Sequence, residues 1–326
     1  MLTRGFALCV IVAVAATALG RAVPLVGAPV FGIVIGVLIS VIVSLPIAYK
    51  AGIAFASKTL LQWSIVLLGA NLSVSQIARS GAASLPVMLG TLVITLTLAF
   101  TVGRALGLKR DLRRLLGVGT AICGGSAIAA LATVIEADSA DIAYALGTVF
   151  LFNVVAVLAF PLLGHAMHLS QSAFGLWAGT AINDTSSVVA ASLSYGHIAG
   201  TDGIIVKLTR TLLIVPIVVY YAWRRTAALR AEGRTVKWRS ILPWFVLWFL
   251  AAAALNSLGA IPDVVKTHLP PVALFAIVVA LAGVGLGTDA RRIRSAGLRP
   301  LALGAILWVA IAVSSLCIAA LLRPWS

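Results

Sequence analysis

Charged residues are scarce in this sequence. Asp, Glu, Lys and Arg make up 10% of the 326 residues, whereas a soluble domain is about a quarter charged. Hydrophobic residues make up 61%, and the mean hydropathy is +1.11. No soluble fold could hide that excess in one core, so the bilayer must be the solvent for most of the chain.

Cysteine and histidine are also few. Cys9, Cys123 and Cys317 each lie in an apolar run without paired spacing, which favours neither a disulfide framework nor a zinc site. The four histidines are expected as interfacial polar residues near the ends of spans. There is no Gly-Lys-Ser of the Walker type, so ATP is not the energy source within this chain. We therefore expect no cofactor, no bound metal and no enzymatic activity.

Negative charge is what the chain lacks most. Nine acidic residues against 24 basic ones give a net charge of +15. A nucleic-acid-binding surface would gather the basic residues on one face, but here they fall mostly in short loops between apolar runs. That distribution is the one that the positive-inside rule predicts. We therefore expect a lipid bilayer as a partner, and no nucleic acid.

The apolar runs predict an all-α polytopic membrane protein with about 11 membrane segments. We interpret residues 1–326 as one transmembrane transporter domain without a soluble domain, and leave open core and panel or scaffold subdomains interleaved in sequence. The predicted segments are residues 5–20, 26–45, 57–72, 84–106, 112–135, 140–163, 171–193, 203–223, 240–258, 270–288 and 299–322.

The basic loops predict the orientation of these segments. Counting segments between them places three clusters on one side, which is then the cytoplasm. We expect a multi-pass protein of the cell inner (plasma) membrane, with a cytoplasmic N-terminus and an external C-terminus. The clusters are Arg104, Lys109, Arg110, Arg113 and Arg114; Arg224, Arg225, Arg230, Arg234, Lys237 and Arg239; and Arg291, Arg292, Arg294 and Arg299.

Two internal repeats are present. Residues 67–73 resemble residues 281–287, and the two copies leave the membrane in opposite directions, as in many secondary transporters with inverted repeats. Residues 119–126 align without gaps on residues 179–186, in the middle of apolar segments, where glycine weakens a helix. These copies predict two interrupted or re-entrant segments, 112–135 and 171–193, although close helix packing would also explain small residues there.

The topology of that second pair stays open at this point. Two spanning segments would run in the same direction, whereas two re-entrant hairpins would enter from opposite sides as an inverted pair. Either arrangement leaves the basic loops on the same sides, so charge does not decide between them.

Asp184 is the one acidic residue expected deep in an apolar segment, where a charge costs about 2.5–3.5 kcal/mol. With Asn183, it is our candidate for coupling. Lys207 and Arg210 are three residues apart and share a helical face. We expect them one or two turns inside the external end, where snorkelling or pairing with Asp184 or Asp202 are alternatives to substrate binding.

Together these residues predict an anion site. Arg binds oxyanions bidentately and Lys acts as a point charge, while interrupted segments present helix N-termini that favour negative charge. By contrast, Gln62, Asn71 and Asn153 are expected to bond between helices. The candidate substrate-binding residues are Lys207, Arg210, Thr120, Ser126, Thr180, Thr185, Ser186, Gly124 and Gly125.

At these same residues the chain resembles the YeiH-type family of sulfate exporters. The motifs that carry the resemblance are residues 122–130, Asp184-Thr185 with residues 188–191, and residues 207–210. Many members have His before the Asp, where this chain has Asn183, which puts a His-assisted proton relay in doubt. The chain is similar, more distantly, to the cation–proton antiporter and bile-acid transporter class, which implies crossed, interrupted helices in a core that moves against a second domain.

We therefore predict a secondary transporter of a small inorganic or sulfur-containing oxyanion, similar to sulfate or sulfite. The resemblance implies export; proton coupling and alternating access are part of the hypothesis. A sodium- or proton-coupled transporter of organic anions such as sulfonates or carboxylates is an alternative, and so is an anion channel. The expected partners are the anion, a proton or sodium as coupling ion, and the bilayer, with a homodimer left open.

Overall fold

The computed structural model describes residues 2–23, 27–43, 45–231, 244–288 and 298–322. Within these ranges the chain is helical and has no β-strand, so the predicted all-α polytopic membrane fold is confirmed. The helices are α1 (Leu2–Ala22), α2 (Gly27–Ile42), α3 (Ile47–Ala54), which continues through a π-helical turn (Phe55–Leu60) into α4 (Leu61–Gly69), α5 (Val74–Ala105), α6 (Arg110–Ala121), α7 (Gly125–Ile135), α8 (Ser139–Ala166), α9 (Gln171–Ala181), α10 (Thr185–Tyr195), α11 (His197–Leu212), α12 (Ile214–Ala231), α13 (Trp244–Ser257), α14 (Asp263–Leu286) and α15 (Leu298–Leu322).

The second interrupted segment is a re-entrant hairpin. Phe174, in the first turn of α9, stacks on Tyr195, the last residue of α10, with ring centroids 3.9 Å apart. In a continuous helix these residues would lie roughly 30 Å apart. The Tyr195 hydroxyl also donates to the Leu169 carbonyl at 2.6 Å. Both ends of the α9–α10 hairpin therefore lie on the same side of the membrane.

The first interrupted segment folds back in the same way. Lys109, just before α6, lies 3.7 Å from the Asp138 carboxylate, just after α7. A straight helix would separate these residues by roughly 40 Å. Near the bend, a Cβ on Gly119 would meet the Ile128 side chain at 2.7 Å, so α7 packs back against α6. The α6–α7 segment is therefore also a re-entrant hairpin.

The two hairpins enter the membrane from opposite sides. Only α8 separates them, and it is one of seven helices that are long and apolar enough to cross a membrane. Two shorter apolar helices, α2 and α13, are also present among the described residues. The topology that the sequence leaves open is therefore resolved as an inverted pair of hairpins on either side of α8.

Helix α11 begins earlier than expected. The sequence places the eighth segment at residues 203–223, but α11 starts at His197 directly after the second hairpin. Lys207 therefore lies about 15 Å along the helix from that end, and the expected position one or two turns inside the end is wrong. Some of the basic residues used for orientation lie outside the described residues: Arg234, Lys237, Arg239, Arg291, Arg292 and Arg294.

Glycines allow α11 to pack closely against the second hairpin. A Cβ on Gly175 would lie 2.8 Å from the Ala199 carbonyl oxygen, and one on Gly179 would lie 2.8 Å from that of Gly203. Both contacts move four residues towards the C-terminus along each helix, so α9 and α11 run parallel. This packing places the middle of α11 beside the bend of the hairpin.

A separate buried cluster joins α1, α2, α3 and α14. It includes Cys9, Val12, Ala56 and Val279, all of which are buried. Another cluster, with Ile33, Val157, Val189 and Leu281, connects these helices to α8, α10 and α11. Helix α10 of the second hairpin therefore packs against α2 and α14 as well as against α8 and α11.

Candidate functional site

The bends of the two hairpins meet inside the protein. A Cβ added to Gly124, in the first bend, would lie 3.7 Å from the backbone carbonyl carbon and oxygen of Asn183, in the second. Gly124 has φ +66° and ψ −121°, a conformation that side chains rarely adopt. Glycine is needed there for the turn, and the second bend lies within ordinary van der Waals distance of this position.

Lys207 links both bends. Its Nζ donates to the Ile122 carbonyl at 2.7 Å and to the Ile182 carbonyl at 2.8 Å. These two residues are equivalent in the gapless repeat, and each directly follows the last residue of a hairpin's first helix. The last carbonyls of a helix lack partners within the helix, and they form the negative end of its dipole. Two such ends converge on the one Lys207 amine, which is fully buried.

Arg210 binds the first hairpin alone. Its Nε donates to the Ala121 carbonyl at 2.6 Å and its Nη2 to the Thr120 carbonyl at 3.3 Å. Its Nη1 is buried and has no hydrogen-bond partner within the described ranges. The predicted shared face with Lys207 is confirmed, because both side chains reach the bends. Pairing with Asp184 or Asp202 is wrong for the described residues, since neither cation lies within ion-pair distance of either carboxylate.

Asp184 caps the second helix of its hairpin. Its Oδ2 accepts from the backbone N–H of Ser186 at 3.0 Å and of Ser187 at 3.2 Å, and from the Ser186 hydroxyl. Asp is among the preferred N-cap residues because its carboxylate satisfies otherwise unpaired N–H groups. The carboxylate predicted from the sequence is therefore fixed at the N-terminus of α10.

The equivalent helix of the first hairpin has no such cap. Gly124 stands where the repeat has Asp184, and no side chain of the described residues caps α7. Ser126, in the first turn of α7, is exposed. The N-terminus of α7 therefore presents backbone N–H groups of Gly125 and Ser126 together with one hydroxyl, without a carboxylate.

The remaining predicted site residues lie near the bends but contribute unequally. Thr120 and Thr180 are buried, and the Thr180 hydroxyl donates back to the Leu176 carbonyl of its own helix. Thr185 is half-buried. Asn183 is 1% exposed, and its Oδ1 has no partner among the residues described.

A cavity of about 30 Å³ lies against the second bend. It is bounded by α2, α8, α14 and the start of α10. Its polar wall includes Asn153 of α8, whose Oδ1 and Nδ2 are both buried and unpaired within the part of the chain that the structure describes. The expected helix–helix hydrogen bond of Asn153 is therefore wrong. Sequence reasoning missed this residue because a lone Asn in an apolar helix gives no sign of a cavity. The polar lining is Asn153, Asp184, Ser186, Ser187 and Thr288.

This arrangement defines a class: a polytopic membrane protein in which two inverted re-entrant hairpins meet at a buried polar centre that contains a Lys and an Arg side chain. Within that class, the chain belongs to the family described as Conserved hypothetical protein 698, whose model matches residues 4–304. The resemblance to the YeiH-type family is consistent with this membership.

Relatives match over nearly the whole chain. A UPF0324 membrane protein of Streptococcus mutans is 41% identical over 333 residues, covering 98% of this chain and 97% of the relative. UPF0324 membrane proteins of Fusobacterium nucleatum and Clostridium tetani are 37% and 38% identical, covering 96% and 89% of this chain and 96% and 88% of those relatives. Each is named as a membrane protein, in agreement with the fold.

Proposed function

We propose that this protein is a secondary transporter of a small oxyanion, similar to sulfate or sulfite, that works by alternating access. The observation that carries the proposal is the meeting of two inverted hairpins at Lys207. Secondary transporters bind substrate near the bilayer midplane, where interrupted helices direct their termini at the site. A non-helical backbone at membrane depth is tolerated where it is buried or lines a water-filled cavity, and here it comes from both sides to one point.

The charges near the bends favour an anion. Lys207 and Arg210 supply two cationic groups, against the one carboxylate of Asp184. The uncapped N-terminus of α7 adds N–H donors and the positive end of a helix dipole. The Lys207 amine already donates to one carbonyl in each bend. We therefore place the anion at Gly125 and Ser126 and assign Lys207 and Arg210 a supporting electrostatic role.

The orientation in the membrane is inferred from the basic residues, and the direction of transport from the family resemblance. The basic residues Arg104, Lys109 and Arg110 lie on the side from which the first hairpin enters, and the positive-inside rule makes that side cytoplasmic. The uncapped hairpin then faces the cytoplasm and the Asp184 hairpin faces outward. Export is the direction that the resemblance to the YeiH-type family implies, in a cell inner membrane.

The test is the flux of labelled sulfate and sulfite in proteoliposomes, with and without proton or sodium gradients. The central variant is Ser126→Asp, with Ser126→Asn as its uncharged match. A carboxylate about 4 Å from a monoanion costs about 4 kcal/mol at an effective dielectric constant of 20, or about a thousandfold in affinity. An Asp in the first turn of a helix stabilises it, and the melting temperatures of both variants check that the fold is preserved.

We expect Ser126→Asp to abolish flux and Ser126→Asn to retain most of it. Equal flux in the two variants would show that the anion does not bind at the N-terminus of α7. Gradient-dependent accumulation would distinguish a transporter from an anion channel, which only dissipates gradients. If neither anion moves in the wild-type protein, sulfonates and small carboxylates become the substrates to test.

A further inference from the structure

Asn153 is a buried polar side chain with an unmet need for partners. It lies in the middle of α8, is 3% exposed, and neither its amide oxygen nor its amide nitrogen has a hydrogen-bond partner among the described residues. Buried polar groups in proteins are nearly always paired, and an exception calls for a ligand, a water or an ion. Asn153 is one of the residues that line the cavity at the second bend.

The other polar groups of the cavity wall are oxygen atoms. Asp184 uses Oδ2 for the α10 cap, and its Oδ1 receives no hydrogen bond from the residues that the structure describes. The Ser186 hydroxyl donates to Asp184 and the Thr288 hydroxyl donates to the Val284 carbonyl at 3.1 Å. Both hydroxyls therefore keep lone pairs for a ligand. Ser187 also lines the cavity.

This wall fits a small, hard monovalent cation. Five oxygens are at hand: one carboxylate, three hydroxyls and one amide carbonyl, and hard cations take such oxygen ligands. One carboxylate balances one positive charge, whereas no group of three His, Cys, Asp or Glu that could hold a metal ion occurs in the described ranges. A carboxylate disfavours an anion in the same space.

We infer that this cavity binds one sodium ion between the second hairpin, α8 and the end of α14. Asp184 supplies the charge, Asn153 turns its amide oxygen inward, and Ser186, Ser187 and Thr288 complete the coordination. The ion sits beside Asp184, at a different hairpin from the proposed anion site. Its binding can be measured without any flux, so this inference does not depend on the proposed transport.

The first measurement is thermal unfolding of the purified protein in detergent, with tryptophan fluorescence as the signal. Sodium, potassium and choline chloride are compared at equal ionic strength and pH. A ligand that binds only the folded state raises the melting temperature with its concentration. Equilibrium binding of radioactive sodium then gives the stoichiometry, which we expect to be about one ion per chain.

Asn153→Leu is the decisive variant. It keeps the size of the side chain and removes an amide that makes no hydrogen bond with any described residue, so the sodium-free protein should fold. We expect its sodium affinity to fall at least about tenfold, since even indirect changes at ion sites cost that much. Asp184→Asn retains a good N-cap and should also lose the sodium response. Asn71→Leu is the matched control, because the Asn71 Nδ2 is likewise buried and unpaired among these residues, but away from the cavity.

A sodium-specific stabilisation that persists in Asn71→Leu and disappears in Asn153→Leu and Asp184→Asn would support the site. Equal melting temperatures in sodium and choline would overturn it, as would an unchanged sodium response in Asn153→Leu. A response to pH alone would assign a proton to Asp184 and also overturn it. Sodium binding without anion flux in liposomes would leave this site standing and reject only the proposed transport function.

Discussion

Replacing Lys207 with Met should loosen both hairpins at once. The change keeps the length of the buried side chain and removes the two hydrogen bonds to the Ile122 and Ile182 carbonyls. Both carbonyls lie just beyond helix C-termini, where the helix itself offers no donor. A buried acceptor that loses its partner costs about 1–3 kcal/mol, so the two together should cost about 2–6 kcal/mol.

Cys123 reports this loosening directly. It lies in the first bend between Ile122 and Gly124 and is buried, whereas Cys317 is exposed and is replaced by Ser in the background protein. A loss of 2 kcal/mol raises the population of an open state about thirtyfold. We therefore expect maleimide to label Cys123 at least about thirtyfold faster in Lys207→Met, and the melting temperature to fall.

The control is Thr209→Val on the same helix. Its hydroxyl donates only to the Ile205 carbonyl of its own helix, at 2.9 Å, so the hairpins should not respond. An unchanged melting temperature and Cys123 reactivity in Lys207→Met would refute the reasoning. If anion flux were lost at the same time, Lys207 would be a substrate ligand and not a tie between the bends.

Three further predictions concern the fold. Cysteines at positions 174 and 195 should be joined by a short bifunctional thiol reagent, because Phe174 and Tyr195 stack at 3.9 Å; no cross-link would indicate a spanning segment. Gly175→Val should lower the melting temperature clearly, because its Cβ would lie 2.8 Å from a backbone oxygen and overpacking costs about 1–3 kcal/mol. Gly90→Ala is the control: its Cβ would meet only the flexible end of the Ile318 side chain, so the melting temperature should change little. Lys109→Ala should change the unfolding free energy by less than about 1 kcal/mol, because its ion pair with Asp138 is mostly exposed; a larger loss would mean that this contact holds the first hairpin closed.

Composition and periodicity are sufficient to predict an all-α polytopic membrane protein. The interruptions are also visible, since Gly124 and Asp184 stand in otherwise apolar runs. Re-entry is not visible, because a hairpin and a broken spanning helix place the basic loops on the same sides. The contacts that decide it, such as Phe174 with Tyr195, join residues whose sequence separation carries no signal.

The site was predicted in part. Asp184, Lys207 and Arg210 were identified because charge in an apolar helix is costly and therefore conspicuous. Their partners could not be predicted, because the donors of Lys207 and Arg210 go to backbone carbonyls, which every residue possesses. Asn153 escaped for the opposite reason: an amide is common in membrane helices, and only the cavity shows that this one lacks a partner.

The pseudo-symmetry of the two hairpins explains how one centre could serve two ions of opposite charge. In each hairpin the first helix ends at a carbonyl that accepts from Lys207, and the second helix begins just after the bend. Each bend therefore contains the N-terminus of a helix, which is the positive end of its dipole. In the second hairpin Asp184 occupies that terminus and converts it into a carboxylate site. In the first hairpin Gly124 takes the same place and leaves the terminus open. This exchange of a carboxylate for hydrogen, one of three differences between residues 119–126 and 179–186, is the one that distinguishes the proposed cation site from the proposed anion site. Because Lys207 donates to a carbonyl in each bend, we propose that it transmits a movement of one hairpin to the other and so couples the two proposed ions.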